Sequence, residues 1–463
     1  MLYKKRDEEI LKDELFKNPT KEYRGAPFWA WNTKPEKESM KRQMKAFDDM
    51  GFGGFHIHSR TGLDVEYLGD EFMDDVKFCT EYAKDNNMLM WAYDEDRFPS
   101  GFAGGLVTKD RKYRYRELFM TFDKRDDYLP ARPEGRAEES YLIAVFDIVL
   151  NDDGTLKSYN IVNDENDVKG VAWYTYLRIA TEDTWFNNQT YVDTLDKASI
   201  ERFVNVTHER YKEVVGEYFD DIIPSFFTDE PKTTYKKSLP FATERRNLIF
   251  PWTDDFPDTF KEKYGFDMIP HIPELVWELE DNKPSKARYF YHRHVAERFT
   301  ESYSKTISDW CEANNVHLTG HMIKEPSLKS QSTAIGEAML PLSEFGIPGI
   351  DMLCDEREYT TAKQAQSVAH QYGREGVVSE LYGVTNWDFD FRRHKLAGDW
   401  QVALGVTIRV PHLSWMTMEG EAKRDYPASI HYQSPWYKEY KIIEDYFARV
   451  ATAMTRGNAV VKI

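Results

Sequence analysis

Residues 25–58, GAPFWAWNTKPEKESMKRQMKAFDDMGFGGFHIH, decide the fold class. The stretch opens with an apolar strand at Gly25–Trp31 (GAPFWAW), and Pro35–Met50 follows as an amphipathic helix with its apolar residues on one stripe. Phe52–His58 (FGGFHIH) then indicates a second strand. Strands that alternate with helices in this way are typical of a parallel sheet.

The same alternation continues along the chain. The other predicted strands are Met88–Asp94, Ile222–Thr228, Val316–Met322, Ile347–Leu353, Val377–Tyr382 and Val406–His412. The other predicted helices are Asp70–Asn86, Lys197–Glu217, Ala287–Asn314, Thr361–Tyr372, Phe391–Ala403 and Trp436–Met454. Eight strands separated by helical segments predict an α/β fold, a (β/α)8 TIM barrel whose chemistry sits at the C-terminal strand ends. A doubly wound sheet is disfavoured, because Gly51–Gly54 (GFGG) precedes a strand instead of opening a helix.

One region interrupts the alternation. Between Leu106 and Asp193 the pattern has a period of two without helices, with predicted strands at Tyr141–Leu150 and Val171–Ile179. We interpret this region as an antiparallel β subdomain inserted after strand 3. The predicted domains are a catalytic barrel (20–105 and 194–460), the β insertion (106–193) and an N-terminal helical extension (1–19).

Composition excludes several classes of protein. The 463 residues are 41% hydrophobic and 30% charged, as in a globular chain and unlike disordered or collagen-like sequences. A net charge of −18 repels phosphate backbones, so we expect no nucleic-acid partner. The chain has no apolar run long enough for a membrane span, and Met1–Glu14 lacks a signal-peptide stretch, so we expect no membrane partner and a cytoplasmic location. Cys79, Cys311 and Cys354 suit reduced thiols better than disulfides or a zinc cluster.

Two carboxylates stand where apolar strands end. Phe226–Pro231 (FFTDEP) gives way to Asp229 and Glu230 before a proline, and Glu380 lies inside the otherwise apolar strand VVSELY. A shielded carboxyl group can have a raised pKa and act as a general acid. The ends of the fourth and seventh strands approach each other across a barrel mouth, and two convergent carboxylates are what glycoside hydrolysis requires.

Histidines and acids at other strand ends leave a second interpretation open. His56 and His58 share one face of the second strand, and His321, Asp351 and His412 lie near the ends of later strands. These residues could bind substrate through hydrogen bonds, or could bind a metal in an amidohydrolase.

The third strand ends in a charged segment, WAYDEDRFPSGFAGG, with Asp94, Glu95, Asp96 and Arg97. These side chains could hold sugar hydroxyls or supply oxygen ligands to calcium, or they could form an internal salt-bridge network. The tryptophans near strand ends are candidates to line a sugar site or to fill the core: Trp29, Trp31, Trp387 and Trp415.

Several of these motifs together resemble glycoside hydrolase family 106, the α-L-rhamnosidases. They are PFWAWN (27–32), GFGGFHIHSRTGLDVEYLG (51–69), YDEDRFPSGFAGG (93–105), FFTDEP (226–231) and VPHLSWMTMEGEAKRDYPASIHYQSPWYKEY (410–440). The resemblance implies a (β/α)8 catalytic barrel that removes terminal α-L-rhamnosyl residues, or a related deoxysugar, from a carbohydrate with inversion. It implies a calcium ion at the active site, with ligands that stay unassigned.

By this resemblance the general acid is Glu230 and the general base is Glu380. The predicted substrate-binding residues are His56, His58, Asp94, Asp96, Arg97, Asp229, His321, Asp351, Trp387 and His412. The alternatives are a metal-dependent amidohydrolase and a non-catalytic carbohydrate-binding barrel. The oligomeric state stays open.

Overall fold

The computed structural model describes residues 2–3, 10–353, 357–426, 428–457 and 460. Cys79 and Cys311 are buried free thiols, as expected, and Cys354 lies outside the described residues. Among the described residues, no helix is both long enough and apolar enough to cross a membrane.

Nine parallel strands form one sheet that is nearly closed into a barrel. Its strands are β1 Phe28–Trp31, β2 Gly54–Ser59, β3 Leu89–Tyr93, β8 Ser225–Thr228, β10 His317–Gly320, β11 Ile347–Met352, β12 Val377–Leu381, β13 Val406–Pro411 and β14 Ser414–Trp415. Their spatial order is β13-β12-β11-β10-β8-β3-β2-β1-β14. The eight predicted strands coincide with all of these except the two-residue β14.

The two edges of this sheet meet beside β1. The amide of Ala26 donates a hydrogen bond to the carbonyl of Arg409 on β13. Only two residues separate β13 from β14, and β14 pairs with Trp29 and Ala30 of β1. The mixed α/β class and the parallel, barrel-like sheet are therefore confirmed.

Most of the α-helices in the described residues connect parallel strands, while the first precedes β1 and the last follows β14. The helices are α1 Asp13–Lys17, α2 Lys37–Asp49, α3 Asp70–Asp85, α4 Lys197–Val206, α5 His208–Val215, α6 Phe256–Tyr264, α7 Lys286–Phe299, α8 Lys305–Ala313, α9 Leu328–Ala334, α10 Met339–Ser343, α11 Tyr359–Gln371, α12 Phe391–Ala403 and α13 Lys441–Met454. Two predicted long helices are interrupted, because Thr207 separates α4 from α5 and a π-helical turn at Thr300–Ser304 separates α7 from α8.

A separate antiparallel sheet has five strands in the order β6-β5-β7-β4-β9. They are β4 Arg116–Thr121, β5 Tyr141–Leu150, β6 Leu156–Ile161, β7 Val171–Ile179 and β9 Leu248–Pro251. β5 and β7 have the predicted bounds. β9 comes after β8 in the chain, so this sheet also uses a segment outside the predicted insertion at 106–193.

Side-chain alternation divides the barrel residues between two cores. Phe28 on β1, Tyr93 on β3 and Phe227 on β8 pack together in the interior. Trp29 and Trp31, which alternate with Phe28, instead pack with the helix residues outside. The side chains that face the interior continue along each strand to the mouth of the barrel, where they are polar instead of apolar.

Candidate active site

Polar residues gather where the parallel strands end. Asp229 and Glu230 follow β8, and His321 follows β10. Asp351 near the end of β11 is paired in register with Glu380 on β12. Because parallel strands in a barrel present their carboxyl ends at one mouth, these side chains meet there.

His321 is the residue that these carboxylates share. Its Nε2 lies 3.0 Å from Oδ1 of Asp229, and its Nδ1 lies 3.8 Å from Oε2 of Glu380. Glu230 and Asp351 each place an oxygen within 4.8 Å of a His321 nitrogen and of each other. One imidazole thus sits among four carboxyl groups.

Asp229 and His321 form an ion pair at neutral pH. Burial opposes ionisation of both groups, but their contact outweighs it, lowering the pKa of Asp229 to about 2 and raising the pKa of His321 well above its ordinary value. The hydroxyl of Tyr93 also donates to Oδ2 of Asp229 at 2.6 Å. Both oxygens of Asp229 therefore have partners.

The other carboxyl groups hold their protons more tightly than free acids. Burial, and then the charge of Asp229, raise the pKa of Glu230 to about 8. Burial, and then Asp351 and Asp229, raise the pKa of Glu380 well above its ordinary value. Burial also raises the pKa of Asp351 to about 6. A carboxyl group that keeps its proton near neutral pH can act as a general acid.

The backbone sets Glu230 apart from Asp229. Glu230 has a left-handed conformation, with φ at +47°, and its side chain is only half-buried. Such a conformation costs a non-glycine residue about 1–2 kcal/mol, so its surroundings must hold it in place. The turn directs two consecutive acids to different environments, one paired in the interior and one towards the open mouth.

On the other side of the mouth, Glu380 faces a neutral histidine. Nη2 of Arg60 donates to Nε2 of His412 at 3.1 Å, and the same Nε2 lies 3.6 Å from Oε1 of Glu380. Since arginine can only donate, Nε2 of His412 carries no proton. Burial lowers the pKa of His412 to about 3. Arg60 also pairs with Asp425 at 2.9 Å, which links the site to a loop at its rim.

Three predicted substrate-binding residues, His56, His58 and Asp94, have no exposed surface. His56 donates from Nδ1 to the carbonyl of Ala26 at 2.9 Å, and its ring stacks on Trp91 inside the barrel. Asp94 accepts from the hydroxyl of Ser100 at 2.6 Å and lies 4.0 Å from His208 on α5, behind the strands.

Three of the predicted residues, His58, Asp96 and Arg97, lie closer to the mouth. His58 stacks on Tyr93 at 3.8 Å, and Nδ1 donates to the Ser59 carbonyl. Asp96 accepts from Ser59 Oγ and from Nε of the half-buried Arg97, so part of this charged segment is a salt-bridge network.

The tryptophans divide between the core and the surface. Trp29, Trp31 and Trp415 are fully buried and belong to the core. Trp387 is 38% exposed in the loop after β12, so its ring is accessible from solvent.

Within the described part of the chain, two groups of side chains could hold a metal: Asp229 with His321 and Glu380, and Glu230 with His321 and Asp351. Neither group includes His56 or His58. Calcium takes oxygen ligands, so the carboxylates fit it and the imidazole does not. Oδ1 of Asp351 is buried and accepts no hydrogen bond within the described part of the chain, and a cation could satisfy it.

Glu325 is a buried acid near the site that the sequence did not predict. Its Oε1 accepts from the amide of Met322 and its Oε2 from the amide of Asp351, so it braces the loop after β10 against β11. Burial raises its pKa to about 8. An acid in GHMIKEP lies in no apolar strand, so only its position soon after a strand could have pointed to it. Tyr93 and Arg60 lie in the motifs at 93–105 and 51–69, but the sequence does not show which residues their side chains contact.

Paired carboxyl groups of raised pKa at the mouth of a parallel barrel are typical of barrel glycoside hydrolases. Residues 187–463 match the model of one particular family of glycosidases, glycoside hydrolase family 106, which is described as alpha-L-rhamnosidase. The match covers more than half of the chain, and the chain belongs to this family of glycosidases.

Two known proteins are similar to it. A protein of Formosa agariphila named "Putative beta-glucuronidase" is 22% identical over 219 residues, which are 46% of this chain and 18% of that protein. The structure of a rhamnosidase from Novosphingobium sp. PP1Y superposes with a TM-score of 0.71 at 14% identity, covering 97% of this chain and 61% of that one. At that identity the likeness shows the fold alone. The chain spans less than two thirds of either protein's length.

Proposed function

We propose that this chain hydrolyses terminal α-L-rhamnosyl residues, or a related deoxysugar, of a carbohydrate. The observation that carries the proposal is the pair Glu230 and Glu380, two carboxyl groups of raised pKa that both approach His321 in a chain of this family. Glu230 in its protonated form donates a proton to the departing glycosidic oxygen, and Glu380 in its ionised form takes a proton from the attacking water.

Asp351, whose buried Oδ1 accepts no hydrogen bond among the described residues, would hold calcium, and the ion would polarise sugar hydroxyls and favour the ionised form of Glu380. Hydrolysis inverts the anomeric centre. The catalytic unit is a (β/α)8 barrel at 20–105 and 194–460 interrupted by 106–193. Asp96, Arg97, Trp387 and His412 keep some exposed surface and contact the sugar, whereas His58, which has none, does not.

The first test is hydrolysis of a panel of aryl glycosides that includes the α-L-rhamnoside, with and without a calcium chelator, followed by proton NMR. Release of β-L-rhamnose that the chelator abolishes supports substrate, inversion and cation together. Release of α-L-rhamnose would overturn inversion and make Glu380 a nucleophile. No release from any glycoside would overturn the proposed activity. Stoichiometric zinc would then favour an amidohydrolase, and sugar binding by calorimetry a binding barrel.

The second test separates the roles of the two glutamates. Glu230→Gln should lose about 100-fold or more in kcat/KM on a rhamnoside with a poor leaving group, and much less on a dinitrophenyl rhamnoside that needs no protonation. Glu380→Ala should lose activity on both substrates and regain it with azide as nucleophile. Glu262→Gln, an exposed glutamate on α6, is the matched control. The reverse pattern would exchange the two roles.

A further inference from the structure

The loop after β3 is tied to the backbone on both sides of Glu230. Oγ of Ser100 accepts from the amide of Asp229 at 2.8 Å, and the amide of Ser100 donates to the carbonyl of Asp229 at 2.7 Å. The hydroxyl of Tyr191 donates to the carbonyl of Ser100 at 2.7 Å and accepts from the amide of Lys232 at 3.3 Å. Residues 229 and 232 are thus both held, and Glu230 lies between them.

Asp94 fixes the orientation of the Ser100 hydroxyl. Oδ1 of Asp94 lies 2.6 Å from Oγ of Ser100. Because Oγ already accepts from the Asp229 amide, its proton points to Asp94, and the hydroxyl both donates and accepts. Neither Asp94 nor Ser100 has any exposed surface. Water therefore does not compete for their hydrogen bond, and neither side chain contacts a substrate.

The loop that carries Ser100 is itself anchored. The carboxylate of Glu95 accepts hydrogen bonds from the amides of Asp96, Gly101, Phe102, Ala103 and Gly104, at distances between 2.6 and 2.9 Å. Gly101 has φ at +132°, and a side chain there would meet Val192 at 2.7 Å. The loop is therefore a fixed support behind the strand ends.

We propose that Ser100 and Asp94 are positioning residues that hold Glu230 in its left-handed conformation and so aim its carboxyl group at the leaving oxygen. This rests on the proposed role of Glu230 as general acid. The left-handed turn is unfavourable for a glutamate, and the contacts that fix Asp229 and Lys232 supply the restraint. For Asp94 this role takes the place of the predicted sugar contact.

The test compares Ser100→Ala with Ser225→Ala. Ser225 on β8 is equally buried, and its hydroxyl has no hydrogen-bond partner among the described residues. A misplacement of about 1 Å costs up to about 100-fold in rate. We expect Ser100→Ala to lose about 10- to 100-fold in kcat on a poor leaving group, little on a dinitrophenyl leaving group, and little in KM. Ser225→Ala should change neither, and Ser100→Thr, which keeps a hydroxyl, should recover part of the loss.

Equal losses on both leaving groups, or equal effects of the two alanine variants, would overturn the positioning role. A wild-type protein that cleaves no glycoside would instead contradict the proposed activity. Crystal structures of the wild type and the variants give a readout independent of turnover: the proposal requires Glu230 to leave its left-handed conformation in Ser100→Ala and to keep it in Ser225→Ala. If Ser100→Ala does not fold, Asp94→Ala, which removes the acceptor of the Ser100 hydroxyl, is compared with Ser100→Thr in the same assays. An unchanged Glu230 and an unchanged leaving-group dependence in Asp94→Ala would overturn the proposal.

Discussion

Two clusters of buried charged groups in this molecule differ in how well their charges are paired. Between β13 and α13, Arg409 and Glu444 form two hydrogen bonds of 2.9 and 2.6 Å, and the amide of Gly25 donates to the same carboxylate. Their side chains are 4% and 0% exposed. Although burial alone lowers the pKa of Arg409, Glu444 raises it overall. This pair is balanced in charge and well supplied with hydrogen bonds.

The barrel mouth is not balanced in this way. Four carboxyl groups surround His321, and the nearby His412 is neutral. Three of them, Glu230, Asp351 and Glu380, have raised pKa values, which means that folding makes their ionised forms less favourable. A cluster that opposes its own ionisation does not stabilise the fold. The comparison therefore separates a structural ion pair from a site that is kept for chemistry.

Breaking the structural pair should have the largest effect on stability. Glu444→Gln leaves Arg409 as a buried, unpaired charge, and we expect the free energy of unfolding to fall by about 3–5 kcal/mol. Urea denaturation measures this loss. Glu439→Gln, an exposed glutamate before the same helix, should change stability by less than about 0.5 kcal/mol. A loss for Glu444→Gln no larger than that of its control would contradict the distinction.

The pH dependence of activity tests the mouth. Glu230 must keep its proton to act as a general acid, and its pKa is about 8. We expect kcat/KM to fall about tenfold per pH unit above pH 8, and also to fall at lower pH as the general base Glu380, whose pKa is raised, takes up a proton. In Glu230→Gln this basic limb should disappear, because the amide does not titrate. A limb that persists in the variant would assign the titration to another group.

The sequence predicts some of the residues at the barrel mouth and not others. Glu380 was predictable because a carboxylate within VVSELY is costly to bury without a task, and Glu230 because a strand ends abruptly at FFTDEP. Ser100 and Glu325 were not, since their roles depend on amides that only the folded loops bring close. Tyr382 shows the limit of the period of two along a strand, which predicts that its ring lies on the same face as Glu380. Its φ of +71° directs the ring outward against His394 and Phe389 instead of towards Glu380.

A smaller effect should appear in stability, with opposite signs for two acids of the mouth. The raised pKa of Glu380 means that the folded state binds its proton more tightly than the unfolded state, so stability present below the ordinary glutamate pKa is lost as pH rises. We expect Glu380→Gln to raise the free energy of unfolding by about 0.5–2 kcal/mol at pH 8. Asp229→Asn should lower it, because the pKa of Asp229 is depressed and its charge pairs with His321. Denaturation of both variants between pH 5 and pH 8 measures the difference, and equal signs would contradict the contrast.

The smallest effect is expected at the rim, where Arg60 joins the buried mouth to Asp425. In this pair the side chains are 8% and 39% exposed, so water screens one end. Asp425→Asn should cost less than about 1 kcal/mol in stability and, by the same energy, less than about fivefold in kcat/KM. Arg60→Met should cost more, because it also leaves Nε2 of His412 without its donor beside Glu380. Glu419→Gln, an exposed acid of the same loop, is the control. If Asp425→Asn instead matches Arg60→Met, then the rim belongs to the charge cluster of the mouth, and the boundary between exposed and buried charge lies further out than this comparison places it.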